Sequence, residues 1–179
     1  IDETEVYLRA GDARSVRGHA RELFTRHPRE TLTVIVLTAG GGSAFYTYTT
    51  YMQKLLVNSA GLDKVVVAQV MTAALATCLL LPPLVGGIAD RIGHRATLVA
   101  SFGAGALLAV PSLSALARAT DGTSAYLLLL PPMLALSGYM ALSAVVKAEL
   151  YPAHVRALGV ALPYALAMAI FGGNVETTA

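Results

Sequence analysis

Three groups of residues have types and spacing that chemistry could use. The first is Gly86-x3-Asp90-Arg91-x-Gly93-x-Arg95. Glycine lets a chain turn tightly or lets helices approach closely. Asp90 can accept hydrogen bonds from the start of a following helix, where the dipole favours an anion. Arg91 and Arg95 can reach lipid phosphates or a facing acid. The second group is Glu149-x2-Pro152-x3-Arg156, an acid and a base around a helix-stopping proline, able to pair with each other or with the first group. Such pairs gate a moving protein when they form in one conformation and break in another. A static ion pair and a simple anchoring turn are the plainer readings. The third group is Tyr46, Thr49, Thr50 and Gln53, followed by Lys54. At helical spacing the first four share one face, which offers hydrogen bonds either to neighbouring helices or to a polar ligand in a cavity. No nucleophile–base set, metal-ligand spacing or nucleotide-binding loop occurs, so neither an enzyme, a metal site nor a cofactor is expected.

The elements that must position these groups are long apolar runs. Val65 to Ala89 and Ala96 to Ala117 contain no ionised side chain, and the charges of 86–95 stand at their junction. A bilayer core about 30 Å thick is crossed by roughly 20 predominantly apolar helical residues. Both runs qualify, as two antiparallel spans joined by a charged turn at one membrane face. Thr31 to Leu56 is a first, more polar span containing Gly40-Gly41-Gly42, which permits a close helix approach or a bend. Ala125 to Val146 is a fourth span, with Tyr139 and Ser143 inside it. A fifth segment starts at Leu158 and holds Tyr164, Asn174 and the acid Glu176. Ser101, Gly105 and Ala109 form a small-residue stripe that lets another backbone approach. Pro82-Pro83 should kink the second span, and Cys78 within it reads as a packing residue.

Composition agrees. Hydrophobic residues make up 55% of the chain and charged residues 13%, about half the usual charged share of a soluble domain. One cysteine rules out a disulfide framework, and a net charge of +2 gives no footprint for nucleic acid. Residues 1–30 form a polar arm in which Arg9, Arg14, Arg17, Arg21, Arg26 and Arg29 are balanced by acids. The arm reads as a solvated linker with short helices, with Val16, Leu23 and Phe24 as one weak apolar edge. Placing the arm on the cytoplasmic side puts Arg91, Arg95, Lys147 and Arg156 there too. Only Lys54, Lys64 and Arg118 are left opposite, which satisfies the positive-inside rule.

These motifs resemble a known family. Gly86, Asp90, Arg91, Gly93 and Arg95 match the loop that recurs between the second and third helices of each half in the major facilitator superfamily. Glu149, Pro152 and Arg156 resemble its cytoplasmic motif between helices ten and eleven. Phe45 to Lys54, Lys147-Ala148-Glu149 and Val155 to Val160 are similar to its metabolite:proton symporter subfamily. His94 stands where that loop usually has arginine, which weakens an ion pair there or makes it pH-sensitive.

The resemblance implies an all-α, polytopic membrane helix bundle, the C-terminal half of a twelve-helix fold. Residues 1–30 become the linker between halves and 31–179 become helices seven to eleven. An N-terminal six-helix half and helix twelve are then the absent partners, and the setting is a bacterial inner membrane. It also implies alternating access driven by protons. The substrate is a small carboxylate, α-ketoglutarate or a related dicarboxylate, with citrate, shikimate or an osmolyte as alternatives, and a non-transporting truncated membrane protein as the alternative to transport. Tyr46, Thr49, Thr50, Gln53, Lys54, Tyr139, Ser143, Tyr164 and Asn174 line the implied cavity, and the residues of the two charged turns form the implied gate. Lys54 is the one basic residue expected near that cavity, so the principal carboxylate-binding groups are expected outside this chain.

Overall fold

A computed structural model describes the backbone of residues 13–172 and the side chains of 20–171. Asn174, Glu176 and the first part of the arm lie outside the described residues. Within them the chain is helical, with no strand. The elements are α1 (Ala13–Arg26), α2 (Pro28–Tyr46), a π-helical turn (Thr47–Tyr51), α3 (Met52–Asn58), α4 (Lys64–Ile92), α5 (His94–Leu116), α6 (Gly122–Glu149) and α7 (Arg156–Ala167), which ends in a second π-helical turn (Met168–Gly172).

Local chemistry explains most boundaries. The carboxylates of Asp63 and Asp121 cap α4 and α6, accepting from Val65 N at 2.8 Å and Ser124 N at 2.9 Å. Pro28 opens α2, where a missing N–H costs nothing. Gly93 alone separates α4 from α5. Its φ of +101° lies in the left-handed region, which glycine enters without a Cβ penalty. The expected charged turn at 86–95 is therefore corrected: Gly86 to Ile92 remain helical, and the reversal is confined to one residue. Burial of Ala89 against Leu98, Leu142 and Val146 keeps that last stretch wound.

Three helices, α4, α5 and α6, are long and apolar enough to cross a membrane, and Arg156–Phe171 forms a shorter apolar helix. The chain is a multi-pass membrane protein. Leu79, Leu107 and Val110 are each at least 75% exposed, as expected of groups that face hydrocarbon. Apolarity therefore cannot decide which face turns inward. Close approach decides it, as is usual where lipid is as apolar as leucine. A Cβ on Gly41 would overlap the Tyr139 ring, and one on Gly138 would overlap Ser101 Oγ. The triple glycine thus serves close packing, with Gly40 set against Phe102 and Gly42 against Met168. The Ser101 stripe behaves as expected only at its first member. At Gly105 nothing approaches, and Gly105 and Ala109 line a cavity of about 360 Å³ shared with Gly40, Gly41 and Ala44.

The first expected span is helical from 28 to 58, but its winding changes midway. Thr47 and Thr49 hydroxyls bond the carbonyls of Ser43 and Phe45, at 2.8 and 2.6 Å, beside the π-helical turn. Bonds of this kind intrude on the regular ladder and accompany such bulges. Cys78 is buried with its thiol 3.5 Å from Met140 Sδ, a packing role as expected. The helix carrying Pro82 and Pro83 runs through both without a break.

Residues 20–30 are largely helical and mostly exposed, but one of them is anchored. Leu23 is fully buried with Val34, Tyr151 and Val155, and its carbonyl accepts from Thr31 Oγ1 at 3.3 Å. An amphipathic α1 can bury a leucine only if a partner exists, and the turn after α6 supplies one.

The tight approach yields a test in the purified protein. Gly138→Ala should lower the melting temperature by several degrees, since overpacking a close contact costs about 1–3 kcal/mol. Gly103→Ala, with open space around it, should not lower it. Equal responses in a detergent thermal-shift assay would contradict packing by close approach.

Candidate functional site

The two charged turns meet. His94, the first residue of α5, places Nε2 at 3.3 Å from Asp90 Oδ1 and Nδ1 at 3.3 Å from Glu149 Oε1. Asp90 comes from one helical turn earlier and Glu149 from the end of α6. Asp90 does not cap the next helix, contrary to the sequence-based expectation. Gly93 holds the capping position without a side-chain bond, because a one-residue reversal leaves Asp90 within the preceding helix. Glu149 pairs with the first group, one of the two pairings expected for it. Its partner is the imidazole, while Arg91 and Arg95 are exposed. Arg156 donates from Nε to the Tyr151 carbonyl at 3.3 Å and so braces the turn containing Pro152.

His94 lies outside the apolar stretch 96–117. The carboxylates of Asp90 and Glu149, hydrogen-bonded to its ring, hold its pKa above the ordinary histidine value. The attraction is therefore strongest at low pH, where the ring is charged, and it fades as pH rises through that elevated pKa.

The arm reinforces this end. Tyr151 is buried beneath Gly159, and its hydroxyl donates to Thr31 Oγ1 at 3.2 Å. His154 Nε2 lies 3.6 Å from Glu22 Oε1, and His27 sets its ring edge-on to Tyr151. Two elements distant in sequence are tied around one turn.

The polar groups of the first span are dispersed. Thr49 is buried with its hydroxyl spent on Phe45, Tyr46 is half-buried, and Thr50, Gln53 and Lys54 are exposed. The Gln53 amide reaches back to the Thr49 carbonyl at 3.4 Å. Burial differs among Tyr46, Thr49, Thr50 and Gln53, and the π-helical turn runs through the middle of the set. Tyr48, not among the expected residues, turns inward and meets Ser112 Oγ at 3.0 Å.

A second constellation lies between α2, α6 and α7. Lys147 is 2% exposed. Its Nζ is 3.4 Å from Tyr139 Oη and 5.3 and 5.2 Å from the ring centres of Tyr139 and Tyr164. Ser143 and Thr38 lie within electrostatic reach of the Tyr139 hydroxyl. Tyr139, Ser143 and Tyr164 were expected cavity residues and are brought together here. Lys147 was expected in a charged turn at the membrane face, beside Glu149. The available signal was its spacing, four residues from Ser143 and eight from Tyr139 on the same helix, which places all three on one face. Lys54 is therefore not the one cation near the polar groups.

A multi-pass bundle with this reversal between α4 and α5, and this turn after α6, has a counterpart. The model of the major facilitator superfamily matches residues 5–173. The chain belongs to that superfamily. It is 45% identical over 154 residues to α-ketoglutarate permease of Escherichia coli K12, covering 86% of this chain and 36% of that protein. It is 31% identical to the ectoine/proline transporter ProP of Corynebacterium glutamicum, over 97% of this chain and 32% of the other. It is 30% identical to the citrate-proton symporter of Salmonella typhi, over 97% and 40%. The chain thus spans between about a third and two fifths of these relatives. No solved structure gives a significant match.

The imidazole bridge is directly measurable. In histidine-labelled protein followed by NMR, His94 should titrate above the ordinary value near 6.5. Asp90→Asn and Glu149→Gln should each bring it down. A His94 that titrates normally and ignores both substitutions would remove the bridge.

Proposed function

We propose that this chain forms part of a proton-coupled symporter for a small carboxylate, foremost α-ketoglutarate or a related dicarboxylate, working by alternating access in a bacterial inner membrane. The observation that carries this reading is the 45% identity to α-ketoglutarate permease across most of the chain. In this reading residues 1–30 are the cytoplasmic linker and 31–179 are helices seven to eleven. An N-terminal half and helix twelve complete the transporter, and the polytopic chain itself acts as no enzyme.

The gate follows from the bridge. Alternating access requires the ends of neighbouring helices to separate in one state and close in the other. His94 joins the α4–α5 reversal to Glu149 at the end of α6, so parting these ends breaks that charge-assisted bond, while Asp90 keeps hold of the imidazole within the reversal. Gly86, Arg91, Gly93, Arg95, Pro152 and Arg156 frame the same junction. A partly exposed imidazole gives a contact strong enough to hold and weak enough to release, since exposed ion pairs contribute little each.

Uptake of labelled α-ketoglutarate by cells expressing the full-length protein tests the reading, with and without a protonophore. Citrate, shikimate and betaine serve as unlabelled competitors. Saturable uptake that collapses with the gradient and resists the competitors is expected. Blockage by citrate would keep the symporter and move the substrate to a tricarboxylate, and absence of uptake from membrane-inserted protein would overturn the reading. Asp90→Asn should cut the transport rate severalfold at unchanged membrane abundance. Unaltered kinetics would reduce the bridge to an anchor.

A further inference from the structure

Lysines near the end of a membrane helix usually extend outward, keeping the ammonium in water at the interface. Lys147, two residues before the end of α6, does the opposite. Its side chain folds back along the helix so that Nζ reaches the hydroxyl of Tyr139, two turns earlier, and sits against the rings of Tyr139 and Tyr164. At 2% exposure this is a cation taken out of water.

Its surroundings are neutral hydroxyls and aromatic rings. Among the described residues no carboxylate lies within ion-pair distance of Nζ. Glu149, the nearest acid along the helix, is engaged by His94, as is Asp90. An ammonium has three protons to donate, and one hydrogen bond of 3.4 Å uses one of them. Thr38 adds an independent sign. Its hydroxyl is fully buried beside the Tyr139 hydroxyl, an approach that falls short of a well-formed hydrogen bond and leaves much of its bonding capacity unused. Buried polar groups are ordinarily satisfied, and buried charges ordinarily paired. Aromatic faces attract a cation but accept no second or third hydrogen bond.

We propose that Lys147 is a binding residue for a carboxylate group of the transported substrate, with the hydroxyls of Tyr139 and Thr38 as its co-donors. A carboxylate supplies what the cluster lacks, one negative charge and two acceptor oxygens. Access comes from the Tyr164 side, where that ring is 45% exposed on the face of α7 that the described helices leave uncovered. Gly41 is part of the construction, because only its missing side chain lets the Tyr139 ring sit between α2 and the lysine. This inference rests on the carboxylate symport proposed above.

Binding to the purified full-length protein tests it, with α-ketoglutarate and α-ketobutyrate as probes, the latter lacking the second carboxylate. In the unaltered protein α-ketoglutarate should bind much more tightly. Lys147→Met should weaken α-ketoglutarate at least tenfold and largely erase the difference between the probes. Its ligand-free melting temperature should hold or rise, because a buried unpaired charge is gone. Lys147→Gln repeats the test should the methionine variant not accumulate. A merely structural lysine gives the opposite pattern, a lower melting temperature with both affinities and their ratio unchanged, and that result overturns the inference. Failure of the unaltered protein to bind any carboxylate overturns the symport reading and the inference with it. Normal α-ketoglutarate binding by both variants overturns the inference alone.

Discussion

The contact between Gly41 and Tyr139 holds the rest of the arrangement in place. The tyrosine ring occupies the space that any other residue at 41 would fill. From there it meets Phe102 of α5 edge-on at 5.6 Å between ring centres and receives Lys147 from its own helix. One missing side chain thus brings α2, α5 and α6 to a common point. In a bilayer this kind of contact is what remains to organise a bundle. Burying leucine against leucine gains little over leaving it in lipid, whereas close packing and internal hydrogen bonds still stabilise. Gly138 against Ser101 and Gly159 against Tyr151 repeat the device at other crossings.

The charged end obeys the complementary rule. Side chains that cannot enter hydrocarbon collect where helices emerge, and a reversal of one glycine leaves them within reach of one another. Asp90 and His94 lie four residues apart yet belong to different helices, since Gly93 intervenes. Glu149 arrives from α6 across the bundle. The same end receives the arm, through Leu23, Glu22 and His27 around Tyr151 and His154. A segment whose composition reads as solvated is held there by one buried leucine and a few polar contacts. Motion of the turn after α6 therefore also moves the arm.

Composition and the lengths of the apolar runs sufficed for the membrane class and most spans, because hydrocarbon sets a length that charges cannot interrupt. The turn positions followed from the same charges, and the family from the spacing of residues within them. Folding alone decided three matters. Where the reversal at 93 lies depended on Ala89 staying packed, a contact with residues more than fifty positions away. That Tyr48 of the first span turns inward depended on Ser112 being brought to it by α5, a contact 64 positions away in the chain. The surroundings of Lys147 depended on the chain reaching Tyr164 and Thr38 from two other helices. Adjacent to Glu149 in the chain, the lysine reads as surface charge. Only packing turned it inward, because the course of a flexible side chain is set by what surrounds it and not by its neighbours in sequence.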